Sequence, residues 1–211
     1  MEFWRGSWPD AASTMAEFAA GSYNGGSDVK GYIPPRGYKL DADLSTKDGQ
    51  VYTKATDGTA LADAPNLVVA FRGTKYAKDW LQNASAVVGF ADSNDWYKRD
   101  EDLYKRATAK YPGASVAVTG HSAGGLIASE LSKKYGVEAF SFNPHIPLLN
   151  AKDFAAPNNH VFVSGSDPVS AMSALLPKSK VYHVKAKGKG LKAQHSMDNF
   201  LGAPSQYHYR I

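Results

Sequence analysis

The stretch SVAVTGHSAGGLIASELSKKYG (residues 115–136) constrains the fold of this chain more than any other. A short apolar run of strand character passes straight into glycines and an alanine crowded around one serine, and then into a helical pattern. Glycine destabilises strands and helices alike, so its concentration at such a junction marks a place where side chains would obstruct the backbone. Gly120-His121-Ser122-Ala123-Gly124 reads G-x-S-x-G, the pattern of a nucleophile elbow. In that turn the strand and helix backbones nearly touch, and the serine is held in a strained conformation with its hydroxyl raised. The following helix directs its N-terminus at the same point, which favours negative charge developing there.

Such an elbow needs a sheet around it. An N-terminal helix is expected around DAASTMAEFAAGSY with Asp10 as its cap, followed by strands in GYKLDADL and QVYTKAT joined through STKDG. NLVVAF (66–71) is a continuous apolar run, typical of a strand buried on both faces. DWYKRDEDLYKRATAKY has helical spacing, with Leu103, Tyr104 and Ala107 on one face, and stops at Pro112-Gly113. VEAFSF, HVFVSG and KVYHV supply three more strands. Strands alternating with helices from residue 66 onward predict an α/β fold, a mostly parallel sheet flanked by helices, with ligands at the carboxyl ends of the strands. No repeat, linker or composition shift divides residues 1–211, so one domain is expected.

Composition narrows the function classes. At 43% hydrophobic and 21% charged, the 211 residues read as an ordinary globular protein. The absence of cysteine excludes disulfides, thiolate metal sites and a cysteine nucleophile. No apolar run reaches the roughly 20 residues of a membrane helix, and MEFWRGSWPD lacks the layout of a secretory signal. The expected location is therefore cytoplasmic at synthesis, or outside by a signal-independent route.

VVAFRGTKYAKDWLQN (68–83) supplies the second half of an acyl-transfer site. A tetrahedral oxyanion needs two donors: the N–H after the nucleophile, here Ala123, and one from a loop after an earlier strand, where Thr74 is placed. FRGT, then DWLQN at 79–83, then GHSAGG, in this order, resemble the class 3 lipase family of the α/β-hydrolase fold, over about residues 10–202. The resemblance implies hydrolysis of carboxylic esters of acylglycerols, phospholipids or simpler acyl compounds, with no metal or cofactor. It also implies that Asp79 pairs with Arg72 and pins the oxyanion loop. The chain lacks the disulfides and length of the secreted fungal members.

A serine hydroxyl is a poor nucleophile until a base takes its proton and a carboxylate orients that base, in the chain order Ser, Asp/Glu, His. Asp167 directly follows a predicted strand, and its DPVS segment looks like the family's carboxylate segment; Asp153 has no strand leading to it. Of the histidines, His121 lies inside the elbow and cannot reach its neighbour's hydroxyl, His145 and His160 precede Asp167, and His183 falls within a strand. His195 follows the last predicted strand and precedes a short helix, as the family's histidine does, whereas His208 reads as surface or packing. The expected catalytic set is Ser122, Asp167 and His195.

AVVGFADSNDWY (86–97) offers apolar and aromatic residues for an acyl pocket, with ordinary core packing as the alternative. Six lysines within residues 178–192 stand between Asp167 and His195 and suit peripheral contact with an anionic lipid surface, against the plainer reading of a solvated loop. Nucleic-acid binding is not expected, for the cluster has no aromatic platform. The same triad also serves thioesterases and acyltransferases, and a binding or structural module that keeps this fold without turnover is the rival from another class.

Overall fold

In the computed structural model the described residues are 8–24, 34–58, 60, 63–73, 95–146, 154–176, 181–202 and 207–209. Among them an eight-stranded sheet runs in chain order, from β1 (Tyr38–Leu40) and β2 (Gly49–Lys54) through β3 (Leu67–Phe71), β4 (Val116–His121), β5 (Glu138–Phe142), β6 (Asn159–Ser164) and β7 (Val181–Val184) to β8 (Tyr207–Tyr209). Strands β3 to β7 pair in parallel, each beside its predecessor, while the flanking pairs β1–β2, β2–β3 and β7–β8 are antiparallel. The first expected strand is shorter than its apolar pattern suggests. After Leu40, Asp41 Oδ1 accepts from the amides of Asp43 and Leu44, and this side-chain turn ends the ladder.

The buried strands divide their side chains between two layers with the period of two that a pleated sheet imposes. Val68 and Ala70 of β3 face the layer of helix α1 (Trp8–Gly21), where Met15, Phe18, Phe140, Phe142 and Phe162 pack together. Leu67, Val69 and Phe71 face the opposite layer with α2 (Asp95–Lys110) and α3 (Ala123–Tyr135). Thr119 joins the first layer to the sheet, its hydroxyl within hydrogen-bond reach of the carbonyls of Met15 and Phe140. Asp10 lies in the first turn of α1, which begins at Trp8, so its charge sits near the positive end of the helix without being its cap. Helix α3 stops at Gly136, whose φ of 67° is the left-handed conformation that favours glycine at a helix end.

Two further differences concern the aromatic residues near α2 and the C-terminal strand. Tyr97 is buried in the α2–α3 core and Trp96 packs against that core, so these two aromatics support packing, not an acyl pocket. The strand at Tyr207–Tyr209 was not anticipated; it pairs His208 with His183 of β7.

Candidate active site

Strand β4 delivers Ser122 to the carboxyl edge of the sheet, and α3 starts at the next residue. Ser122 has φ 57° and ψ −120°, a region that costs a non-glycine residue about 1–3 kcal/mol. What makes the turn possible is lack of bulk on either side. A Cβ on Gly120 would lie 2.3 Å from the carbonyl carbon of Gly124, and one on Gly124 would lie 2.1 Å from the carbonyl oxygen of Phe71. Both obstacles are backbone and cannot swing away. The elbow is further fixed by the Ser122 amide donating to Phe142 O (3.0 Å), while Ser122 O accepts from the amides of Leu126 and His145, both at 3.1 Å. Ala123, as the first residue of α3, has an N–H with no carbonyl one turn back inside the helix.

Asp167 follows β6 and His195 follows the short helix α4 (Leu191–Gln194). The fold brings the two together: His195 Nδ1 lies 3.1 Å from each carboxylate oxygen of Asp167. A carboxylate only accepts, so Nδ1 carries the proton and Nε2 holds the ring's lone pair. The Asp167 side chain is fully buried, while that of His195 keeps 20% exposure. Ser170 Oγ donates to Asp167 Oδ2 (2.9 Å) and the Val169 amide to Oδ1 (3.3 Å), so the carboxylate is compensated on both oxygens. The His195 ring centroid is 4.7 Å from that of His121, the residue next to Ser122. His145, also close by, has its basicity lowered by burial and by the His195 charge.

The peptide before His195 is held by a buried polar knot. Gln194 O accepts from Asn143 Nδ2 (3.0 Å), Asn199 Nδ2 (3.1 Å) and the Ser164 hydroxyl. Asn143 has φ 39°, which asparagine tolerates better than most residues, and its Oδ1 accepts from the Ser164 amide at 2.8 Å. None of these three residues was singled out in the sequence. Only the Asn-Pro pair at 143–144 carried a local turn signal.

Thr74 and Asp79, like the aromatic and apolar residues of 74–94 and the competing Asp153, lie outside the described residues. Arg72, just before the oxyanion loop, has its guanidinium paired with Asp48, whose backbone oxygen also accepts from the Arg72 amide (3.0 Å). Arg99 reaches the other oxygen of Asp48 at 2.9 Å. His160 sits 3.4 Å from Glu138, away from the elbow.

Residues 15–146 match the family described as "Phospholipase-like: Tle-like phospholipase domain". Among curated proteins, "Putative lipase ATG15" of Eremothecium gossypii is 43% identical over 54 residues, 26% of this chain and 10% of that protein. Its Candida glabrata namesake is 40% identical over 83 residues, 39% of this chain and 16% of that protein. The matched stretch thus spans a small part of those relatives' length. Among solved structures, a mutant form of MDLA from Penicillium cyclopium superposes with a TM-score of 0.57 at 20% identity, covering 95% of this chain and 84% of that one. Lip2 lipase from Yarrowia lipolytica gives 0.54 at 13% identity, covering 88% and 82%. These structural likenesses speak for a shared fold, and the family match covers more than half of the sequence, including the elbow. The chain belongs to the Tle-like phospholipase-domain family, among the class 3 lipases of the α/β-hydrolase fold.

Proposed function

We propose that this protein is a serine hydrolase that cleaves carboxylic esters of lipids through an acyl-enzyme. The observation that carries the reading is the buried Asp167 bonded to His195, whose ring lies 4.7 Å from that of His121, the neighbour of Ser122 in the strained elbow. Ser122 Oγ attacks the ester carbonyl carbon as its proton passes to His195 Nε2, and the buried Asp167 stabilises the imidazolium through Nδ1–H. The oxyanion is received by the N–H groups of Ala123 and Thr74. On collapse the C–O bond breaks, and the leaving alkoxide takes the proton from His195. Water, deprotonated by the same nitrogen, then attacks the acyl-enzyme, releasing the acid and restoring Ser122.

Lipid substrates are supported by the family's description as phospholipase-like and by the surface beside the site. Lys185, Lys187, Lys189 and Lys192 are exposed on the segment leading from β7 to His195, with Leu191 63% exposed among them. Leu175, 62% exposed, follows the segment of Asp167. An exposed cationic segment with Leu191 among its lysines suits an anionic lipid surface, to which each lysine contributes about 1 kcal/mol.

The test is hydrolysis of p-nitrophenyl esters of rising acyl length and of phospholipid vesicles, comparing the wild type with Ser122→Ala. The substitution is expected to lower kcat by about 10⁴–10⁶. Retained activity would overturn the assignment, whereas transfer of the acyl group to an added alcohol or thiol in preference to water would move the protein to the acyltransferases.

A further inference from the structure

Both peptide groups that flank the Cα of His195 are held from outside their own segment. The preceding carbonyl, Gln194 O, lies in the polar knot described above; the following one, His195 O, is 2.8 Å from Nε2 of His121. The other nitrogen of that ring, Nδ1, is 2.7 Å from the hydroxyl of Tyr23, in the single 3-10 turn (Ser22–Asn24) that ends helix α1. A carbonyl only accepts, so His121 Nε2 carries the hydrogen; the neutral ring then has a bare Nδ1, and Tyr23 donates to it. The direction of the chain is thereby fixed as Tyr23 O–H to His121 Nδ1, and His121 Nε2–H to His195 O. The Tyr23 hydroxyl also sits against the oxyanion-loop backbone, since a Cβ on Gly73 would fall 2.3 Å from it.

From this geometry we infer that Tyr23 and His121 are positioning residues for catalysis, a buried relay that sets the His121 tautomer and so fixes the backbone of the general base. The inference rests on the serine-hydrolase reading above. With Tyr23 donating, His121 has one tautomer open to it and holds His195; without the hydroxyl, Nδ1 becomes a buried acceptor with no donor, and the other tautomer or a charged ring competes. The second duty is electrostatic. His195 becomes an imidazolium during each half-reaction, and a charged His121 ring 4.7 Å away would oppose that step. Burial and the His195 charge push the His121 pKa down to about 3, which keeps the ring neutral. Among the described residues, the other charged or titratable groups acting on this pair are Arg72 on Tyr23, His145 near His195, and Asp167 bonded to His195.

Two measurements test it. In protein labelled with ¹⁵N at histidine, NMR of the wild type should show one neutral Nε2–H ring that stays unprotonated below pH 5 and whose Nδ1 signal moves in Tyr23→Phe. A His121 in the Nδ1–H form, or titrating near 6.5, overturns the relay whether or not the protein is a hydrolase. In ester hydrolysis, Tyr23→Phe should lower kcat about 10- to 100-fold with KM unchanged, the cost of a misplaced base. An unaltered kcat in that variant overturns the catalytic role while leaving the Ser122 assignment standing. Loss of the Ser122 assignment would instead show as full activity in Ser122→Ala.

Discussion

His121 makes this fold sensitive to acid in a pH range where few other groups act. In the unfolded chain its imidazole accepts a proton near 6.5, but in the native elbow, deeply buried and beside His195, it does so only at about 3. Above 6.5 both states are neutral and the difference contributes nothing. As pH falls below 6.5 the unfolded state takes up a proton that the native state refuses, so stability declines by about 1.4 kcal/mol per pH unit until pH reaches the native value. Between pH 7 and 4.5 the expected loss is about 3 kcal/mol, a large share of the roughly 5–15 kcal/mol of a typical domain. Glu101 acts at lower pH. Burial raises Glu101, yet hydrogen bonds from Lys134, Tyr135 and Lys105 outweigh it and hold the group at about 2, so its stabilisation is lost only as pH falls below 4.5. The assay is urea unfolding followed by tryptophan fluorescence at several pH values, for the wild type and His121→Gln. Contributions from His145 and other groups are common to both proteins, so the difference in slope isolates the ring. Parallel stability curves from pH 7 to 4.5 would refute the reasoning.

Three further outcomes are expected. Gly124→Ala sets a methyl group against the Phe71 carbonyl and should cost about 3 kcal/mol or more in urea unfolding; wild-type stability would mean the elbow is looser than described. Asn199→Leu removes donors to Gln194 O, Ala193 O and Ser164 Oγ and should destabilise by about 2–3 kcal/mol while lowering kcat. A variant with normal kcat would show that the knot does not govern His195. Paired reversal of Lys189 and Lys192 to glutamate should weaken sedimentation with anionic vesicles by at least about tenfold, leaving binding to neutral vesicles unaltered; Lys187 is spared because its Nζ donates to Leu201 O.

Local chemistry is what made the elbow and the parallel strands legible. The glycines flanking Ser122 are demanded by backbone atoms at both ends of the turn, and the parallel strands carry short apolar stretches, unbroken only in LVVAF of β3. Asp167 could be picked out because it directly follows such a strand. Other parts of the site depend on contacts that no short window holds. Tyr23 meets a ring 98 positions away, and Arg72 takes its carboxylate from Asp48 in the turn before β2. His121 cannot serve its neighbour's hydroxyl, so its place in the elbow says nothing of a role, yet its ring bonds the backbone of His195. The last strand is not legible in the sequence because three residues are too few to show a period; its pairing with the edge of β7 makes it a strand.

The most direct measurement of the central claim is covalent. Folded protein, its structure verified by circular dichroism, is treated with a fluorophosphonate and the adduct is located by peptide mass spectrometry. One adduct on Ser122 is expected, formed far more slowly in His195→Ala and absent in Ser122→Ala. An unlabelled Ser122 in folded protein, or an adduct at another residue, would contradict the account.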